Sequence, residues 1–250
     1  MCLGVVLLSL KTLPSGGSLG GLNRVIKVLA EVSVFAWSIK VLEFLLGKLD
    51  SSTALLSFLL YVFLRASSSV KIPVATLSVD KASGDFYEVV EWSEGISVVK
   101  VKLGSSGLIE VYLSLTAIVF LVLSVAVAVG AALKLGACYY LELALLYAIS
   151  TLFYRFNSNY LRNVGISVSA IPALLYATIV STYMVHSFGE DLGLTLALAL
   201  NSSSILVGCD LLMIKYAILG SRSITIGGLG VYDAIVLIPS LSYLATLLLA

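Results

Sequence analysis

The sequence predicts an all-α polytopic membrane bundle of six to seven transmembrane helices with a small cytoplasmic β segment, and three observations predict it. Of the 250 residues, 60% are hydrophobic and only 12% are charged, about half the charge of an ordinary soluble domain. The mean hydropathy is +1.08. The apolar residues fall into runs near the ~20 residues that a helix needs to cross a hydrocarbon core about 30 Å thick. So little charge does not cover a water-exposed surface, so lipid is the solvent expected for most side chains. Seven spans use some 140 residues, which makes 1–250 one membrane domain with a modest extramembrane insertion and no separate soluble enzyme domain.

Charge and rare residues exclude several function classes. A formal net charge of +1 offers no basic face for nucleic acid. Cys2, Cys138 and Cys209 stand singly in apolar stretches, and His186 is the one histidine. This rules out a disulfide framework and the common zinc sites. No metal and no cofactor is expected. The N-terminal MCLGVVLLSLK has the apolar length of a signal-peptide core, but lacks a basic lead and an A-x-A cleavage site, and reads as retained.

Each element follows in order. After a glycine-rich linker at 14–21, the stretch 25–46 is apolar but carries Lys27, Glu31, Lys40 and Glu43. Both basic–acidic pairs sit one helical turn apart, giving a first, partly protein-lined span or an interfacial amphipathic helix. A short second span at 53–64 is closed by Arg65 and serines. Between 70 and 104, IPVATLSV, DFYEVVEW and ISVVKVKL are rich in β-branched and aromatic residues, and Gly84 and Gly95 punctuate the turns. This predicts a β-hairpin or three-stranded sheet outside the hydrocarbon, because open sheet edges do not face lipid. Stronger spans follow at 108–133, 137–153, 164–185, 192–214 and 224–250.

Loop charges alternate. Arg155, Arg162, Lys215 and Arg222 fall on one side, and Lys134, Glu190 and Asp191 on the other. By the positive-inside rule the arginine-bearing loops are cytoplasmic. With both early spans crossing, Lys11, Arg24 and the β segment share that side of a cell membrane, and the C-terminus lies outside.

The chemistry gathers near the C-terminus. Span 192–214 holds Asn201, Ser202, Ser203 and Ser204, then Asp210 in VGCDLLMIK. The serines read first as interhelical glue. A carboxylate within a span costs about 2.5–3.5 kcal/mol on insertion scales, which points Asp210 inward and toward a role. The last segment opens SITIGGLGVYDAIVLIP, where Gly227, Gly228 and Gly230 free the backbone just before a helix that carries Asp233. A short turn joins the two helices, so they are antiparallel neighbours. At 1.5 Å per residue, Asp210 and Asp233 lie about 8 and 13 Å from the same surface. They are expected to meet there and share a proton or hold a cation. Glu142 beside Tyr139 and Tyr140 reads as interfacial belt, His186 as a solvated helix end, and Pro172 as a kink with Ser169 serving the freed backbone.

Through VKIPVATL, VVKVKLGSSGLIEVYLSL, NVGISVSAIPALL, ILVGCDLLMIK and ITIGGLGVYDAIVL, the chain resembles an uncharacterised archaeal and bacterial family of multipass membrane proteins, domain-of-unknown-function family sixteen-fourteen, from about Val34 onward. The resemblance implies a fold type and no reaction. A looser similarity is to GxGD-type intramembrane aspartyl proteases, with one aspartate on each of two adjacent helices. Here GLG at 228–230 is separated from Asp233 by two inserted residues, and PAL at 172–174 precedes both acids.

The leading expectation is therefore a site of Asn201, Ser204, Asp210, Gly227, Gly228, Gly230 and Asp233 that binds or transports an ion, proton or small solute within the lipid bilayer. The alternative is an aspartyl protease acting on a membrane peptide, with Asp210 and Asp233 catalytic as base and acid. The second alternative is a structural or assembly subunit with the β segment as its docking surface.

Overall fold

The computed structural model describes residues 18–47, 50–79, 84–92, 95–103, 107–135, 138–161, 165–220, 223–227 and 233–249. The apolar segment 1–11 therefore lies outside the described residues. Helix α1 (Ser18–Leu46) begins inside the expected linker. Its Ala30, Val34, Trp37 and Val41 are buried at spacings of four, three and four, the stripe of a helix with one face against protein. Helix α2 (Ser51–Ala66) is capped by Asp50, whose side chain accepts from Thr53 N at 2.8 Å. Its inward face carries the small Thr53 and Ser57 and then Leu64, while Leu55, Phe58, Leu59 and Phe63 point outward. Glu31, expected to meet Lys27, is engaged by α2, with Arg65 Nε at 3.1 Å and Tyr61 Oη donating at 2.7 Å.

Strands β1 (Lys71–Val79), β2 (Gly84–Trp92), β3 (Gly95–Leu103) and β4 (Gly107–Ser114) follow. The expected β segment at 70–104 is present but extends further. β2 and β3 form their own antiparallel hairpin, and β1 pairs with β4, so strand structure continues to residue 114. The register slips between Pro73 and Ala75, where proline has no N–H to give the ladder. On β4, the Tyr112 hydroxyl donates to Glu110 Oε2 at 2.5 Å, and this bond holds the phenol above its ordinary pKa.

Helix α3 (Leu115–Ala132) leads to α4 (Cys138–Phe156), and a short hairpin of β5 (Ser158–Leu161) and β6 (Gly165–Val168) leads to α5 (Ala170–Phe188). Helix α6 (Glu190–Ile205) runs into a π-helical turn, Leu206–Leu211, and then α7 (Leu212–Gly220). Strand β7 (Ser223–Ile226) pairs in parallel with β4, and α8 (Ala234–Leu249) ends the described chain. The spans expected at 108–133, 164–185 and 224–250 thus each begin as a strand. Continuous apolar, β-branched runs read equally as buried strand or helix, and only a pairing partner decides between them. Pro172 consequently falls in the first turn of α5, where an N–H is not required. It is not the mid-helix kink expected, and the Ser169 side chain makes no capping bond.

Among the described residues, four helical segments are long and apolar enough to cross a membrane: Ser51–Ser69, Leu115–Ala132, Ala170–Phe188 and Glu190–Ile214; Ala234–Leu249 is apolar but shorter. Helix α6 is the central element, packed by α3, α4, α5 and α8 and buried almost continuously from Gly193 to Ser202. Gly193 permits this closeness, since a Cβ there would fall 2.4 Å from Met184 O.

The bundle has two unlike ends. The strands gather at one, tied by Thr116 Oγ1 donating to Leu64 O at 3.0 Å and by Leu115 N donating to Val70 O at 3.0 Å. At the other, Lys40 pairs with Glu43 at 3.6 Å and with Asp191, and Lys134 lies 4.7 Å from the centre of the Phe44 ring.

Candidate functional site

The acidic residues singled out by sequence lie at the strand-bearing end. α6 meets the C-terminal turn of α4 at Gly208, where a Cβ would stand 2.4 Å from Thr151 O and 3.1 Å from Arg155 N. Only glycine allows that approach. The same residue lies in the π-helical turn Leu206–Leu211, whose wide ring shifts the following side chains around the helix axis, a feature frequent at functional sites. Asp210 projects from this turn, half-buried, and among the described residues no hydrogen bond or ion pair reaches its carboxylate.

Asp233 stands immediately before α8, also half-buried. Its Oδ1 accepts from Ile235 N at 3.2 Å, and its carbonyl accepts from Val236 N at 3.0 Å and Leu237 N at 2.7 Å. It therefore caps the helix. The charges of Asp233 and Asp210 act on each other, and both act on the thiol of Cys209, as does the guanidinium of Arg155. Cys209 is buried, with Ser158 Oγ 2.8 Å from its sulfur. Arg155 also lies 5.8 Å from the centre of the Tyr216 ring.

The other expected site residues divide. Asn201 is fully buried, but it is occupied elsewhere: it accepts from Tyr154 Oη at 3.1 Å and donates to Ala177 O at 3.4 Å. At 1.5 Å per residue it sits roughly 13 Å along the helix from Asp210, so its amide locks α4, α5 and α6 together. Ser204 is buried without a hydrogen-bond partner among the described residues, about 9 Å along the axis from Asp210. Gly227 adopts φ +70°, and a Cβ there would fall 2.3 Å from Ala117 Cβ. It serves both the turn out of β7 and the seating of that turn on α3. Gly228 and Gly230 lie outside the described residues, as do Arg162 and Arg222. Glu142 receives the Tyr183 hydroxyl at 2.5 Å, and His186 is exposed at its helix end.

Sequence reading missed Gly208, Tyr154 and Arg155. An isolated glycine inside a helical pattern was the available signal for Gly208. Nothing local announces that Tyr154 faces Asn201. Among the described residues no three His, Cys, Asp or Glu side chains gather as metal ligands. A cation between the two aspartates would need hydroxyl, carbonyl or water oxygens to complete its shell.

A family model described as "Protein of unknown function (DUF1614)" matches residues 66–246. The matched stretch opens on the last residue of α2 and includes both aspartates. No curated protein and no solved structure matches the chain.

Proposed function

The chain belongs to this family of proteins of unknown function, and from that premise we propose that it is a multipass membrane protein in which Asp210 and Asp233 form one acidic site. That site binds or passes a proton, a cation or a small solute. The outward faces of α2, α3, α4 and α5 carry exposed Leu, Ile, Val and Phe, a surface suited to lipid, while hydroxyls and an amide line the interior. By the positive-inside rule, the end bearing Arg155 and the strands faces the cytoplasm and the end of α8 lies outside.

One observation carries the reading: two acids from different helices act electrostatically on each other beside a π-helical turn, and Asp210 lacks a cationic partner among the described residues. Like charges brought together in a poorly solvated place favour uptake of a proton or cation. The test uses the full chain in liposomes, comparing Asp210→Asn and Asp233→Asn with the unsubstituted protein for cation binding and for dissipation of a pH gradient. Loss in both variants, with thermal unfolding preserved, is the expected result. Unchanged binding and flux in both refutes it.

A structural reading has one observation of its own, the capping of α8 by Asp233. If Asp233→Asn is neutral in every assay and Asp210→Asn only destabilises, that reading replaces the first.

A further inference from the structure

At the opposite end of the bundle, Trp37 and Lys40 of α1, Ser124 of α3 and Thr195 of α6 line one crevice, walled by aliphatic side chains of the same helices. Thr195 lies roughly 22 Å along the axis from Asp210. Trp37, Ser124 and Thr195 are 0%, 2% and 2% exposed. Their polar atoms, Nε1, Oγ and Oγ1, have no hydrogen-bond partner among the described residues.

Ser114, Thr151, Ser204, Ser240 and Thr246 are also buried without a hydrogen-bond partner among the described residues, but none of them lines this crevice. Several other buried hydroxyls satisfy themselves on the preceding turn. Ser38 donates to Val34 O at 3.0 Å, Ser57 to Thr53 O at 2.7 Å and Ser202 to Leu198 O at 2.6 Å. Ser124 and Thr195 forgo that bond. An indole N–H has no alternative of its own, being a donor only. Three unanswered polar groups around one crevice are a standing penalty, because buried polar atoms are almost always paired.

As packed, the crevice is too narrow for a water molecule, so relief requires a helix to move. α1 supplies Trp37 and Lys40 to one wall of the crevice and packs more on α2 and α8 than on α3, where the Trp37 ring stacks on Phe120 at 4.2 Å, so it is the helix whose lean would open the crevice. Across the mouth, Lys40 Nζ reaches Asp191 on α6 and Glu43 on its own helix. The lysine charge is thereby answered by two carboxylates, which leaves no excess positive charge for an anion.

We propose that this crevice is a second polar site, which admits water or a small uncharged solute rich in acceptor oxygens when α1 leans away, and that the Lys40–Asp191 pair latches it shut. Nothing in this depends on Asp210 or Asp233.

The test places single cysteines, Ser124→Cys and Thr195→Cys, in the full chain in membrane vesicles and follows their reaction with a membrane-impermeant methanethiosulfonate. The unsubstituted chain, with its own three cysteines, and the outward-facing Val125→Cys set the background. Both crevice cysteines should react faster than background. Adding Asp191→Asn should raise the rate about threefold to fivefold, the population shift from losing a weak ion pair. Positions on two helices keep the test alive if one variant fails to fold. Background rates at both positions, with and without the latch, would overturn the proposal. Repeating the labelling with Asp210→Asn separates the two sites, since the crevice rate should not change there.

Discussion

The two ends of the bundle treat their acids differently. Asp191, at the end away from the strands, is largely exposed and held by Lys40, which Glu43 also meets. Asp210, at the strand-bearing end, is half-buried, and among the described residues the charge that acts on it is that of another acid. A paired acid on a helix N-terminus is what stability alone would arrange, since the macrodipole and the lysine both favour it. An acid without a counter-charge, set on a distorted turn beside a glycine contact, opposes stability. Residues of that kind persist where they serve binding or chemistry.

The contrast can be broken by experiment, most strongly at Gly208. Gly208→Val drives a side chain into the α4 backbone and should destabilise the protein by about 3 kcal/mol, seen as a large fall in detergent unfolding midpoint. A tolerated valine would mean that α4 does not position the π-helical turn. Tyr154→Phe removes the donor to Asn201 Oδ1 and leaves a buried acceptor unmet, for a loss of about 1–2 kcal/mol by the same measurement. An unchanged midpoint would show that the amide does not tie α4 to α6. Asp191→Asn breaks an exposed pair and should lower stability by no more than about 1 kcal/mol, less still in high salt. Asp210→Asn should have the smallest effect, with no loss of stability, because it breaks no ion pair among the described residues. A large loss there would make Asp210 as structural as Asp191 and erase the distinction between the ends.

The candidate site was legible in part. VGCDLLMIK announced Asp210 because a charge inside an apolar run is conspicuous by itself, and Asp233 stood out in the same way in the last apolar segment, although it was expected on the helix and stands just before it. Asn201 was equally conspicuous and was assigned to the wrong company. Its amide is satisfied by Tyr154 and the α5 backbone, partners 47 and 24 residues away that no local pattern indicates. The crevice around Trp37, Ser124 and Thr195 was not legible for the same reason, since three helices contribute one or two groups each.

Composition and run length by themselves determined that apolar helices dominate, because the balance of hydrophobic and charged side chains fixes which solvent the surface suits. What only the tertiary structure decided was where helices begin. The runs opening at residues 108, 164 and 224 start as strands because β1, β5 and β4 are there to pair with them. It likewise decided which polar groups meet. Helical periodicity and hydrophobicity are set by neighbours along the chain, whereas a ladder hydrogen bond or a buried polar contact exists only when a distant segment supplies its other half.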